Sequence, residues 1–502
     1  RDQASEAARL EAYGESLDSQ GQERLIARTL ELMEDQQQAN SVETLALLPQ
    51  LSLGDLEHGI DFHQAQATEI DGRELLVSEL NTDHISYIEI GFDISCLPSK
   101  YLPWLDLFGS IVTEIGTSKM DYMHFAREIG TCTGGFSHNF QCHVKKGGKG
   151  DFRPILWFQM KCLPEYQERA MQLLSEVFSD LSLQDRVHIQ EIVVRDFAWT
   201  EHGAQSEGYN LPTALAFAQI SKAGACNEMV SGVTNYRSSK ELAHNYPQHE
   251  DAFLAGLKEM ASAIFNRNNL TFSITANEQE VSTFTKLCGG LITALPDTAL
   301  TKQELILPKL PKHEALITSA EVVYAVQGGN LLPEGKGYNG HFEVLKTYLS
   351  RDYLWNTVRQ MGGAYGCFIQ FSHISGNFAV ISYRDPQVRK TYDSYANMSE
   401  TIKNLDTPKE VLQQLIIGTY GNFTPLQASA AKGVAARNEY LNGITAEFKQ
   451  QRIDDIISTT VKDMRSYAEA FASMQANSHR MIIGNRAKIE ADKDLFDTLG
   501  EL

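Results

Sequence analysis

No stretch of this 502-residue chain approaches the roughly 20 consecutive apolar residues that cross a bilayer, so a membrane-spanning helix is excluded on length alone. Cysteine is scarce: seven residues, an odd number, with no Cys-x-x-Cys pair. That excludes a disulfide framework and reads as free thiols in a reducing compartment. Positive charge is also in deficit. Lys and Arg number 44 against 64 Asp and Glu, a formal net charge of −20. Phosphate backbones demand a basic surface, so nucleic acid is excluded as a partner. The acidic balance suits solubility and attraction for basic peptides. The first residues, Arg1 to Ser5, are polar, follow no signal-peptide pattern and include no initiator Met; the reading is a processed form or a piece of something longer.

Several catalytic signatures are missing too. Neither His-Glu-x-x-His nor His-x-x-Glu-His occurs. The nearest forward miss, His313-Glu314-Ala315-Leu316-Ile317, has no second His. The nearest inverted miss ends in Glu201-His202, with Ala198 where the first His belongs. Zinc hydrolysis needs about three protein ligands and an activated water, and no credible set is offered. The pairs His138/His143 (flanking Cys142), His58/His63 and His244/His249 are spaced by five, which splits a pair between the faces of a strand and misaligns it on a helix. There is no Gly-x-Ser-x-Gly elbow and no Walker-type loop, since Gly362-Gly363-Ala364-Tyr365-Gly366 lacks the Lys-Ser/Thr that would hold phosphates. No local context singles out a nucleophilic Cys.

What is present is a duplicated order of elements. The length implies two to four domains. Residues 1–52 are rich in Glu, Gln, Ala, Leu and Arg, with Leu25, Ile26, Leu30 and Met33 at helical spacing; they predict a helical hairpin linker, with a short third helix capped by Ser41 and ended by Pro49. Residues 53–295 predict a first α+β domain: a strand over 85–94, helices near 102–114 and 120–129, a turn at Gly134-Gly135, a strand over 155–162, and helices over 165–181 and 186–202. Pro296, Pro308 and Pro311 punctuate a linker over 296–314. The pattern then restarts over 315–502: a strand from Val322 into Gly328-Gly329, a helix over 341–360, a turn at Gly362-Gly363, a strand over 378–383 and further helices over 388–405, 409–420 and 428–440. Arg127-Glu128-Ile129-Gly130 stands before the first Gly-Gly as Arg359-Gln360-Met361 stands before the second. The expected class is α+β: two homologous domains, each a mostly antiparallel sheet with helices on one face.

Val358-Arg359-Gln360-Met361-Gly362-Gly363-Ala364-Tyr365-Gly366, followed by Ile381-Ser382-Tyr383-Arg384-Asp385-Pro386, closely resembles the last domain of presequence proteases, zinc metallopeptidases of the pitrilysin/insulinase superfamily. The helical hairpin with Asn40-Ser41 and Leu47-Leu48-Pro49 resembles the linker between the halves of such enzymes. The resemblance covers essentially the whole chain. It implies a zinc-free C-terminal half, made of the linker and the third and fourth domains. Zinc and its ligands would belong to the N-terminal catalytic half, the implied partner; this chain would hold no cofactor and be inactive alone. The substrates implied are short unfolded peptides, in the bacterial cytoplasm or an organelle matrix. Carried over residue by residue, Arg359 and Tyr365 become contacts to the scissile carbonyl and its transition state, with Gly362, Gly363 and Ala364 as a substrate-binding loop. A guanidinium and a phenol can donate hydrogen bonds to a developing oxyanion, and the glycines allow close approach to a peptide backbone. From the residues alone, the favoured reading is Arg359 as a helix-end cap and Tyr365 as a side chain packed on the sheet; the resemblance reverses it. The alternatives are an inactive processing-peptidase-like subunit serving as scaffold or binding module, and an insulinase-type half, which shares the fold.

Overall fold

The computed structural model describes residues 2–37, 41, 47, 51–146, 150–332 and 337–502. Two compact units are present, 1–55 and 56–502. In the first, helices Asp2–Glu15 and Ser19–Gln37 flank the break at Ser16-Leu17-Asp18, where the Asp18 carboxylate accepts from the Gly21 N–H at 2.6 Å. Leu25, Ile26, Leu30 and Met33 are exposed. The short helix expected from Ser41 to Pro49 lies outside the described residues.

The second unit contains two six-stranded sheets. The first is built from β1 (Gln66–Ile70), β2 (Arg73–Glu79), β3 (Ser86–Asp93), β4 (Phe136–Val144), β5 (Phe152–Cys162) and β6 (Leu270–Ala276). The second is built from β7 (His313–Thr318), β8 (Val323–Asn330), β9 (Gly366–Phe371), β10 (Asn377–Tyr383), β11 (His479–Asn485) and β12 (Thr498–Glu501). Their spatial orders are β1-β2-β6-β3-β5-β4 and β12-β7-β11-β8-β10-β9. Five strands therefore correspond one to one. The pairings correspond as well: β2/β6 and β7/β11 are parallel, and the other shared ladders are antiparallel. Only the outer strand differs. β1 reaches β2 through a hairpin, whereas β12 arrives from the end of the chain and runs parallel to β7.

Alternation decides the faces. On the first sheet Ile88, Ile90, Phe92, Phe158, Phe272 and Ile274 point one way, into a core shared with helices Leu105–Glu114, Gln167–Ser179 and Glu278–Ala294. Glu89, Gln159 and Ser273 point the other way. That polar face is covered by helix Ser429–Asn442, which comes from the sequence of the second sheet. Gly433 makes this approach possible, since a Cβ there would lie 1.7 Å from Thr275 Oγ1. The exchange is reciprocal. Val326, Ile381, Met481 and Ile483 of the second sheet pack against Phe197, Leu211, Leu215 and Tyr236, from helices inserted between β5 and β6. The opposite face of that sheet meets its own helices, with Tyr392 and Tyr395 hydroxyls donating to the carbonyls of Met481 (3.0 Å) and Ala325 (3.2 Å).

The helix expected over 341–360 is two structures in series. His341–Tyr348 is α-helical and Leu349–Gln360 is a π-helix, closed by the Met361 N–H donating five residues back to Asn356 at 2.9 Å. Such widened turns are rare and concentrate at functional sites. His313–Ile317, the near-miss zinc segment, lies in β7 and not in a helix.

Candidate functional site

The π-helix leads into the Gly-Gly turn, and two of its side chains four residues apart stack. The Arg359 guanidinium lies 3.9 Å from the Trp355 ring centroid, a cation–π contact. The chain then reverses. The Gly363 N–H donates to Arg359 O at 2.8 Å and the Ala364 N–H to Val358 O at 3.2 Å. Gly363 has φ +84°, which an L side chain adopts only with strain. Ala364 is buried, anchoring the turn, and Tyr365 emerges 64% exposed. The Tyr365 N–H donates to Tyr383 O at 3.1 Å and Arg384 O at 3.3 Å, tying the loop to the end of β10. The rings of Tyr365 and Tyr383 meet edge to face at 5.5 Å.

The structure thus brings together the residues singled out in the sequence. Arg359 Cζ is 5.9 Å from the Tyr365 ring, and both line one open depression with Gly363 and Ala364. Gly362 stands behind it, where a Cβ would lie 2.4 Å from Val358 O. Arg359 lies on the Trp355 ring, and the Tyr365 ring touches Tyr383 with one edge while most of the side chain is exposed. Among the described residues Arg359 has no carboxylate partner and the Tyr365 hydroxyl no hydrogen bond. Both keep their donors available. Trp355 and Arg384 line the same depression; Arg384 lies in the quoted motif but is not singled out there as a site residue, and Trp355 carries no signal in the sequence, because a π-helix leaves no compositional trace.

The two histidines on β4 face opposite sides of the strand. On β4, His138 lies 3.2 Å from Asp106, while His143 faces the opposite side and accepts from Trp157 Nε1 at 3.2 Å. His249 lies 3.1 Å from Glu241, and His244 packs edge to face on Phe197. Among the described residues no three His, Cys, Asp or Glu side chains converge as a zinc site requires. All seven cysteines are unpaired, and none of the described helices is long and apolar enough to cross a membrane.

Known proteins give the same picture. The family model for the associated domain of M16 peptidases, subfamily C, matches residues 1–242, and the one described as "PreP C-terminal domain" matches residues 313–486. The chain is 28% identical to Protein HypA of Clostridium perfringens over 491 residues, covering 98% of this chain and 50% of that protein. It is 26% identical to Presequence protease 1, chloroplastic/mitochondrial, of Arabidopsis thaliana, covering 93% and 43%. A solved peptidase M16 inactive domain from Pseudomonas fluorescens superposes with a TM-score of 0.59 at 12% identity, covering 84% of this chain and 98% of that one; at that identity the likeness speaks for the fold. The chain belongs with the M16 peptidases. Within them it is presequence-protease-like and corresponds to the C-terminal half, spanning about half the length of the curated relatives it matches.

Proposed function

We propose that this chain is the noncatalytic half of a zinc metalloendopeptidase that degrades short unfolded peptides, closing a chamber against an N-terminal half that carries the zinc ligands. The observation that carries this reading is the paired, unengaged Arg359 and Tyr365 donors on a turn fixed by Gly363 and Ala364. In this role Arg359 and Tyr365 donate to the scissile carbonyl oxygen as negative charge builds on it, and the turn at Gly362, Gly363 and Ala364 receives the peptide backbone. The chain alone cuts nothing. The free thiols suit a reducing compartment, and the relatives named mitochondrial or chloroplastic support an organelle matrix, or the equivalent bacterial cytoplasm.

The test is Tyr365→Phe in the full-length protein, which keeps the ring and removes one donor. kcat should fall more than KM rises, by up to roughly a hundredfold, or about 2.7 kcal/mol, the lower end for a lost oxyanion donor. A variant that melts earlier but turns over normally would make Tyr365 structural and sink the reading.

A further inference from the structure

The turn that ends β10 holds an arginine in an unfavourable backbone conformation. Arg384 has φ +48°; among the described residues the other non-glycine residues on that side of the map are Asp71, Asp83 and His84, types that tolerate left-handed turns better. The conformation is imposed from both directions. Asp385 exchanges backbone hydrogen bonds with Val323 at 2.9 and 2.8 Å. Its buried carboxylate accepts from Thr391 Oγ1 at 2.7 Å and the Gln387 N–H at 2.8 Å. Strain kept in place by a surrounding frame concentrates where a side chain must be aimed.

The side chain lies beside two tyrosine rings. Arg384 Cζ lies 6.0 Å from that ring and 5.3 Å from the Tyr383 ring. The neighbouring Tyr324 hydroxyl donates to Gln205 O at 3.1 Å. Arg359 stands a similar distance from the same Tyr365 ring, so two guanidiniums border one depression. Neither has a carboxylate partner among the described residues.

We propose that Arg384 is a specificity-determining residue that receives a carboxylate of a bound peptide beside Tyr365. The inference rests on the reading above that a peptide is brought against Tyr365. A guanidinium fork matches a carboxylate with two parallel hydrogen bonds. The backbone frame around Asp385 fixes where the Arg384 side chain leaves the turn. Selectivity is local, because the −20 charge of the chain repels acidic peptides at longer range. The carboxylate is either the peptide's C-terminus or an Asp or Glu side chain.

The full-length protein, with a chelator present to prevent cleavage, is titrated with three fluorescein-labelled peptides and read by anisotropy. One is neutral and amidated, one has a free C-terminal carboxylate, and one is amidated with a central Gln replaced by Glu. The wild type should prefer one carboxylate form, which identifies the source. Arg384→Asn tolerates the left-handed turn and should weaken that form roughly tenfold. It should leave the neutral peptide unchanged and the melting temperature no lower; Arg384→Lys should retain part of the preference. Equal binding of all three peptides by the wild type, or equal weakening of all three by Arg384→Asn, overturns the proposal. Failure of the Tyr365 reading shows separately, as unchanged kcat in Tyr365→Phe.

Discussion

Arg437, on helix Ser429–Asn442, forms an ion pair with Glu89 on β3, joining a helix from the sequence of the second sheet to the face of the first; the two side chains are 1% and 6% exposed. The guanidinium also lies 4.1 Å from the Trp157 ring and donates to Gln141 Oε1 at 3.1 Å. Glu89 accepts from Gln159 Nε2 at 2.9 Å and Ser273 Oγ at 3.1 Å. Burial lowers the Arg437 pKa, and Glu89 opposes the shift.

Removing one partner leaves the other charge buried alone. Arg437→Met should therefore destabilise the protein by about 3–5 kcal/mol, read from urea denaturation. Adding Glu89→Gln should recover much of the loss. If the single variant shifts the transition by less than about 1 kcal/mol, the pair contributes no more than an exposed one.

His373, in the turn between β9 and β10, stacks on Phe448 at 5.5 Å. Burial, then Arg452, Lys146 and Lys346, pushes its pKa down to about 4; His143 is pushed down to about 4 by burial and then Arg437. An unfolded histidine protonates near pH 6.5, so between about 6.5 and 4 the unfolded chain binds more protons, and stability falls as the pH falls. Each histidine accounts for a loss of up to roughly 3 kcal/mol by pH 4. His373→Phe keeps an aromatic ring on Phe448 and should reduce the histidine-linked slope across this window, to which His143, His63, His313 and His479 also contribute through burial. A melting-temperature series from pH 7.5 to 4.5 that superposes on the wild type would remove His373 from the account.

Metal analysis of the purified chain should find well under one zinc per molecule, and a chelator should leave its melting temperature unchanged. One tightly held zinc per chain would mean that ligands separated in the fold described here come together.

The duplication was legible because the central strands are uninterrupted. Ile88 to Phe92 and Phe378 to Tyr383 lie inside ladders on both sides, so their composition is apolar and β-branched. The central strands β6 and β11 were not read as strands, and the outer ones carried less signal still. In β9, Gly366 to Phe371 are all half-buried, and on β4 Ser137, His138, Asn139 and Gln141 sit among the apolar residues, so neither shows clean alternation. Helices Asn210–Ala218 and Lys222–Ser231 escaped for the opposite reason: they are buried on several sides and carry no amphipathic stripe. At the site, Arg359 and Tyr365 stood out through a family pattern. Arg384 lay within the same quoted pattern, but what sets it apart is a backbone angle, which residue type does not announce.

The helix exchanged through Gly433 bears on how the chain can be divided. A cut within the proline-punctuated stretch 296–311 separates the strands of the two sheets cleanly. It also strips the first sheet of the cover over Glu89 and Trp157, and strips the second of the helices that pack on Val326 and Ile381. Each piece would present an open sheet face to water, one with a buried carboxylate suddenly hydrated and the other with an apolar patch. The covalent boundary is therefore not a boundary for stability: the two sheets should melt together, and pieces made separately should be recovered as soluble protein only when both are made in the same cell.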